Sequence, residues 1–152
     1  MNVLHAKDTI SGKEGVAYAK IDGNNEELFF AKAITASVKK TKSQVTAIGK
    51  RMVGHKTSGG EGTGSMTLYL LTPLFRQLLS DWKSSGADTY FDLVIENDDP
   101  SSNAGKQVVQ LIDVNLDETL LAYLDGDSDD PLEEEVKFTF EDFEILTAFT
   151  QI

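Results

Sequence analysis

The sequence predicts a mainly β, α+β fold: a β-barrel or sandwich with one flanking α-helix at about 73–84 and a long Gly-rich hairpin arm. Three observations predict it. Apolar and polar residues alternate with a period of two over most of the chain, as in half-buried strands. One segment has the spacing of an amphipathic helix. Six of the twelve glycines lie between Gly49 and Gly64, which is too dense for a regular element.

The N-terminal part of the chain predicts antiparallel strands. Two short strands between Gly15 and Phe30 flank a turn at 22–25, whose residue types tolerate positive φ angles. Alternating apolar residues then predict one strand over 31–40 and another over 44–49. These segments therefore indicate hairpins rather than helices.

The Gly-rich stretch predicts an extended loop or arm over about 50–64, followed by a strand over 65–70. A phosphate-binding loop is not indicated, because His55 stands where that motif requires Lys and no helix pattern follows. Two interpretations stay open for this segment. It is either a flexible hairpin tip or an arm that becomes ordered against a partner.

The predicted helix has clear signals at both ends. Thr72 is a suitable N-cap, and Pro73 at the first helical position loses no needed donor. Lys83 lies in the last turn, and Gly86 is available to end the helix. The apolar face consists of Leu74, Phe75, Leu78, Leu79 and Trp82. We expect this helix to cover a sheet, with Trp82, Tyr69, Phe75 and Phe138 in the core.

The C-terminal half contains three predicted strands and an acidic loop. The strands lie at 91–95, 108–124 and 136–141, and the loop lies at 125–135. The second is a long strand or a bent pair, and its apolar residues occupy even positions: Val108, Ile112, Val114 and Leu116. The three-residue spacing of Phe140 and Phe143 predicts a bulge or bend at that point.

The length and composition indicate one domain in a reducing compartment. The chain has 152 residues, so we assign residues 1–152 to a single domain that buries a core without disulfide bonds or metal. It has no Cys, which excludes disulfide frameworks, thiolate zinc sites and thiol nucleophiles. No apolar run approaches ~20 residues and the N-terminus lacks an apolar signal core, so we expect a soluble protein that does not insert into membranes.

Charge is unevenly distributed along the chain. The net charge is −11, from 14 Lys and Arg residues and 25 Asp and Glu residues. Residues 1–60 hold ten basic and five acidic residues, whereas residues 61–152 hold four and twenty. This excess acidity argues against a nucleic-acid-binding surface. The asymmetry fits head-to-tail self-association and a dipolar but solitary protein equally well.

The sequence predicts no cofactor and no dedicated metal site. Asp125, Asp127 and Asp129 have the spacing of a calcium loop, but Asp130 and Val136 stand where that loop requires Gly and Glu. A solvated acidic loop is the favoured interpretation, with weak cation binding as the alternative. Catalysis is not indicated either, because no nucleophile motif is present and paired carboxylates lie in loops without an apolar pocket.

Three segments, at 8–19, 42–69 and 132–145, resemble the tail tube proteins of PBSX-like prophages and contractile phage-tail-like bacteriocins. The most specific parts are the pattern GKRM-GHKT-G-GTG and the ending FTFEDF. The resemblance covers nearly the whole chain. It implies a small β-barrel or sandwich with a flanking helix, and rings of six subunits whose inner strands join into one barrel.

The same resemblance implies that rings stack into a tube inside a contractile sheath. The implied partners are further copies of the chain, the sheath protein, and tape-measure and baseplate or terminator proteins. The implied location is a virion or phage-tail-like particle assembled in the bacterial cytoplasm. DNA would pass through the lumen without specific binding, or the tube would puncture a membrane in a DNA-free particle. A monomeric acidic binding or adaptor module is the alternative function.

Two groups of residues become candidate sites. We expect an inter-subunit contact arm that meets acidic surface of neighbouring subunits, formed by Lys50, Arg51, Met52, His55, Lys56, Thr57 and Glu61. An acidic or neutral lumen would let DNA slide, whereas a basic one would hold it. The candidate lumen residues are Thr35, Ser37, Asn115, Asp117, Thr139 and Glu141. Lys39 and Lys137 are in phase with them and do not fit a purely acidic wall.

Overall fold

The computed structural model describes residues 3–28 and 30–150. After a 3-10 helix at Ala6–Asp8, the elements are β1 (Gly15–Ile21), β2 (Asn24–Glu27), β3 (Ala31–Val45), β4 (Gly54–Tyr69), α1 (Leu74–Ser85), β5 (Phe91–Asp98), β6 (Lys106–Glu118), β7 (Glu133–Phe140) and β8 (Asp142–Thr147). The strands pair antiparallel in the order β2-β1-β5-β6-β7-β4-β3, and β8 also pairs with β6. In the described ranges, no helix has the length and apolar content needed to span a bilayer.

Strand β6 belongs to two layers and joins them. Its first part pairs with β5 and β8, and its second part, from Asn115, pairs with β7. One layer therefore contains β2, β1, β5 and β8, the other contains β7, β4 and β3, and β6 passes from one to the other. A single core lies between them, to which Leu93 and Leu111 contribute from one layer and Met66 and Phe138 from the other.

Strand β6 bends at Asp113, so the prediction that its even-numbered residues face the core holds for only part of the strand. Asp113 has a φ angle of 55°, and the register with β5 shifts at this point. The core side chains therefore change from odd to even positions: Leu111 is buried before the bend and Val114 after it. The even-position prediction is right only for the second half, because a bulge inserts one extra residue and changes the face of all later side chains.

Most of the Gly-rich stretch forms a strand with one register shift opposite Thr41 and Lys42, contrary to prediction. Residues 54–64 belong to β4, which pairs with β3 from Val45↔Gly54 to Ala31↔Leu68. The predicted strand over 44–49 ends at Val45, and 46–53 connect the two strands. This part of the chain is therefore a β-ribbon rather than the predicted extended loop. Backbone hydrogen bonds with β3 hold glycines that would otherwise be free.

Helix α1 is confirmed within one residue of its predicted bounds. The Leu74 N–H donates to Thr72 Oγ1 at 3.3 Å, and the N–H of Gly86, whose φ angle is 75°, donates to the Trp82 carbonyl at 2.8 Å. Phe75 is completely buried, as is Phe138.

The prediction that Trp82 and Tyr69 belong to the core is wrong. Trp82 is half exposed, because only the first turns of the helix, with Phe75 and Leu78, are seated on the core. Tyr69 is 36 % exposed, because it follows the completely buried Leu68 on β4 and so points to the other face.

Two further local predictions are confirmed. Asp22 and Gly23, with φ angles of 49° and 81°, form the two-residue turn between β1 and β2. The chain also bends at Glu141 between β7 and β8, where the apolar spacing changes. Phe29, near the end of the predicted first hairpin, lies outside the described residues.

Candidate assembly surfaces

The projecting hairpin, defined as residues 38–61, extends beyond the rest of its layer. Strand β7 pairs with β4 only from Gly62 to Tyr69, so within the described chain β3 and β4 continue beyond this point as a two-stranded ribbon. All residues from 38 to 61 are exposed except Gly54, which is half-buried. A two-stranded ribbon without further strands is marginally stable by itself.

The projecting hairpin is basic and partly apolar. It carries six of the fourteen Lys and Arg residues of the chain but one of its twenty-five Asp and Glu residues. Its exposed large apolar side chains are Val38, Val45, Ile48, Met52 and Val53. The structure places three predicted arm residues, Lys50, Arg51 and Met52, in the connection, and four, His55, Lys56, Thr57 and Glu61, on β4. All seven are therefore part of one projecting surface.

The polar face of the β3-β4-β7-β6 layer brings together most of the predicted lumen residues. Ser37, Thr63, Thr139 and Asn115 are successive partners across the four strands. The neighbouring row contains Thr35, Ser65 and Lys137. Directly opposed residues of antiparallel strands share one face. Thr35, Ser37, Thr139 and Asn115 therefore lie on the face opposite the core.

The remaining two predicted lumen residues lie at the margins of this face. Asp117 is exposed at the register shift between Leu116 and Glu118, and Glu141 is exposed just after β7. None of the six candidates is buried between helix and sheet, although Asn115 and Thr139 are half-buried. The Asn115 side-chain amide donates to Asp88 Oδ2 at 2.8 Å.

Sequence reasoning missed Thr63 and Ser65, which complete the polar face in the middle of the layer. The signal was present as strict alternation with Gly62 and Gly64, but the glycine density concealed it. Lys137 shares this face, as does Lys39, which pairs with Glu61. The face is therefore rich in hydroxyl groups with mixed charges.

The same four-stranded layer has two unpaired edges. In the described part of the chain, β3 pairs with β4 alone, and β6 from Asn115 to Glu118 pairs with β7 alone. Unpaired edges expose backbone donors and acceptors that bind another strand readily. A layer with both edges open can be extended by copies of itself at either side.

The acidic end, defined as residues 119–135, comprises the connection from β6 to β7 and the first three residues of β7. Leu121, Tyr123 and Leu124 are exposed there. Its four Asp residues at 125, 127, 129 and 130 form no ion pair with any described residue. The acidic end therefore exposes apolar side chains next to acidic ones.

Two ion pairs hold the base of the acidic end. Lys32 Nζ lies 2.8 Å from Glu133 Oε1, and this hydrogen bond raises the pKa of Lys32 above its usual value. Arg76 of α1 pairs with Glu134, whose side chain is completely buried. Arg76 also donates to the carbonyl groups of Leu120 and Thr72, so it ties the helix, the acidic end and β7 together.

The projecting hairpin and the acidic end lie at opposite ends of one layer. Strand β4 runs from the hairpin to Tyr69, which pairs with Glu133 at the start of β7. Strand β7 runs the other way and ends at Phe140, which pairs with Gly62 at the base of the hairpin. The layer therefore has a basic end and an acidic end, separated along the strand direction.

Two further hydrogen-bonded groups lie outside these surfaces. The Asn103 side-chain amide donates to Asp8 at 3.0 Å and, with the His5 N–H, holds the pKa of Asp8 below its usual value. Hydrogen bonding to Glu96 at 2.7 Å raises the pKa of Lys106. Among the residues that the structure describes, no three His, Asp or Glu side chains converge as a metal site would require.

Comparison with known proteins agrees with this architecture. The model of a family described as phage tail tube protein matches residues 2–147. The phage-like element PBSX protein XkdM of Bacillus subtilis strain 168 is 49% identical over 142 residues, which cover 93% of each chain. The predicted resemblance to PBSX-type tail tube proteins is thus confirmed.

Solved structures share the fold at low sequence identity. A chain of the anti-feeding prophage baseplate, symmetrised with sixfold symmetry, has a TM-score of 0.69 at 13% identity over 96% of this chain and 97% of that one. A chain of the sheath–tube complex of an extracellular contractile injection system has a TM-score of 0.69 at 12% identity over 94% of both chains. The chain described here belongs to the phage tail tube protein family.

Proposed function

We propose that this chain is a tail tube subunit whose copies close into six-membered rings, and that the rings stack into a hollow tube. The unpaired edges of the β3-β4-β7-β6 layer carry this proposal. Pairing the β3 edge of one copy with the β6 edge of the next covers the end of β6 and the part of β3 that faces it, and closing the ring leaves the joined layer without a terminal strand. The sixfold symmetry of the related baseplate structure supports six copies.

The polar face forms the wall of the channel in this proposal. When six four-stranded layers join in this arrangement, the second layers lie on the outside of the ring, and the polar face, which is opposite the core, points inward. Its hydroxyl groups offer no strong phosphate site, and Lys39 stands opposite Glu61. Lys137 has Glu135 two residues away on the same strand face. Such a near-neutral wall lets a polyanion pass without holding it.

The role is structural rather than catalytic. The tube would pass DNA in a phage, or puncture a membrane after sheath contraction in a DNA-free particle. One structural neighbour comes from a sheath–tube complex, which supports a contractile sheath as a partner. We extend the proposal to tape-measure and baseplate or terminator partners, and to assembly in the bacterial cytoplasm. Residues 1–152 act in it as one tube domain with the projecting hairpin as contact arm.

Self-assembly of the purified full chain tests the central claim. We expect hollow rods of uniform width in negative-stain electron microscopy, with sixfold symmetry in end views. A chain that stays monomeric at high concentration and forms a salt-sensitive complex with a basic protein would instead be the acidic adaptor module.

Cysteine labelling tests the assignment of the polar face. The chain has no Cys, so Thr63→Cys on the polar face and Ser84→Cys on the exposed side of α1 each supply one thiol. Free subunits of both variants should react with a small maleimide and with a polyethylene-glycol maleimide too wide for the channel. In tubes, we expect the wide reagent to label only Ser84→Cys, while the small reagent still labels both.

Two results would contradict the channel assignment. Labelling of Thr63→Cys by the wide reagent in intact tubes would place the polar face on the outside. Protection of the same thiol from the small reagent would place it in a contact between subunits.

A further inference from the structure

We propose that the projecting hairpin of one subunit docks on the acidic end of a subunit in the adjacent ring. This inference rests on the proposed tube and names the surface that receives the hairpin. It links two parts of the chain that leave exposed apolar groups and unbalanced charge at opposite ends of one layer.

The two surfaces are complementary in chemistry. At the hairpin tip, Ile48 is fully exposed and Met52 is 77 % exposed, with Lys50 and Arg51 between them. At the acidic end, Leu121 is 70 % and Leu124 is 96 % exposed, directly before the four Asp residues. Each surface thus offers apolar side chains beside charge of one sign. A contact between two such surfaces is stabilised both by the burial of apolar side chains and by the pairing of opposite charges.

The charges at both ends lack partners within the subunit. The acidic end has ion pairs at its base, through Lys32 and Arg76, but none of its four Asp residues pairs with a described basic group. Among the described residues, Lys50, Arg51 and Lys56 of the hairpin form no ion pair either. A contact between two copies would pair the Asp residues of the acidic end with the basic residues of the hairpin.

The geometry requires the contact to be head to tail. Because the hairpin and the acidic end lie at opposite ends of the layer, one subunit cannot bring its own two surfaces together. A copy displaced along the strand direction can. From Val38 to Val45 the ribbon extends roughly 20 Å beyond the layer at ~3.3 Å per residue, far enough to cross a boundary between rings. This is a heterologous contact, which repeats without closing and so builds a tube.

Charge reversal at each surface tests the inference. The hairpin variant is Lys50→Glu/Arg51→Glu, and the loop variant is Asp127→Lys/Asp129→Lys. All four side chains are exposed, so both variants should fold with unchanged circular dichroism and melting temperature. We expect each variant alone to form isolated rings and to lose tubes in electron microscopy and in the pellet after centrifugation.

Mixing the two variants is the decisive step. The acidic hairpin of the hairpin variant can pair with the basic loop of the loop variant. The loop variant keeps its native basic hairpin, which can pair with the native acidic loop of the hairpin variant. We therefore expect tubes to reappear only in the mixture. The control Glu26→Lys/Asp81→Lys changes net charge equally at exposed sites outside the acidic end and should form tubes alone.

The other outcomes overturn the inference in distinguishable ways. Normal tubes from the loop variant would show that the hairpin docks elsewhere, while the proposed tube stands. Loss of rings as well as tubes would place the contact within a ring. Loss of tubes in the control would assign the effect to net charge. Absence of rings and tubes from the native chain would refute the proposed function itself.

Discussion

Gly64→Ala is expected to lower the free energy of unfolding by about 3 kcal/mol. A Cβ atom added at Gly64 would lie 2.5 Å from the Thr35 carbonyl oxygen and 2.6 Å from Cε2 of Phe138. The carbonyl belongs to the paired strand β3, and the Phe138 ring is completely buried, so neither can move aside easily. Urea denaturation followed by circular dichroism, at a concentration too low for assembly, measures the change.

Gly59→Ala is the matched control for this prediction. It lies on the same strand, but in the projecting hairpin, where an added Cβ meets no atom within 4 Å. We expect a change below about 0.5 kcal/mol, as for most exposed substitutions. Equal stabilities of the two variants would mean that the Phe138 ring does not lie over Gly64.

Arg76→Met is expected to destabilise the protein by roughly 3 kcal/mol. The substitution leaves the completely buried carboxylate of Glu134 without its cation. Glu134 Oε1 already has no hydrogen-bond partner among the described residues, so nothing nearby replaces the guanidinium. The contact of Arg76 with the Leu120 carbonyl is lost as well. The same denaturation experiment measures this loss.

Two further variants separate the buried charge from the packing. Lys32→Met removes the cation of the neighbouring exposed pair with Glu133 and should lower stability far less than Arg76→Met, because solvent screens an exposed pair. The double variant Arg76→Met/Glu134→Leu removes both buried charges and should recover most of the loss, because apolar residues replace a buried pair at little cost. Failure of this recovery would assign the loss to the shape of Arg76 rather than to the unpaired carboxylate.

Local sequence signals predicted the elements whose ends are defined within a few residues. Gly86 ends the helix in the left-handed conformation, as predicted. Thr72 accepts a hydrogen bond from the Leu74 N–H at the start of the helix, although Pro73 rather than Thr72 occupies the N-cap position. Asp22 and Gly23 tolerate the positive φ angles of a two-residue turn. The change of apolar spacing after Phe140 coincides with the break between β7 and β8. Each of these depends on neighbours in sequence, so no distant contact can alter it readily.

The Gly-rich stretch shows where such reasoning fails. Glycine has low strand propensity, and six glycines in one stretch predict an irregular loop. The structure makes part of that stretch a central strand, because the rings of Phe138 and Phe140 occupy the space above Gly64 and Gly62. Those rings come from residues more than seventy positions away in sequence. Their position depends on the pairing of β4 with β7, which no local pattern encodes.

The candidate assembly surfaces were also only partly predictable from the sequence. The unequal distribution of charge and the basic residues of the Gly-rich segment were visible in the sequence. That the basic hairpin and the acidic end stand at opposite ends of one layer follows only from the antiparallel pairing of β4 and β7. Likewise, Thr139 and Asn115 share a face with Ser37 only because β7 lies between β4 and β6.

The sequence by itself determined the family, the strand-rich fold, the helix bounds and the sign of charge in each segment, because these depend on residue type and short-range spacing. Only the tertiary structure decided which strands are neighbours, where β6 changes face, and which edges are left unpaired. The reason is physical: a strand has no partner of its own, and its pairing is set by the packing of side chains that are far apart in the chain.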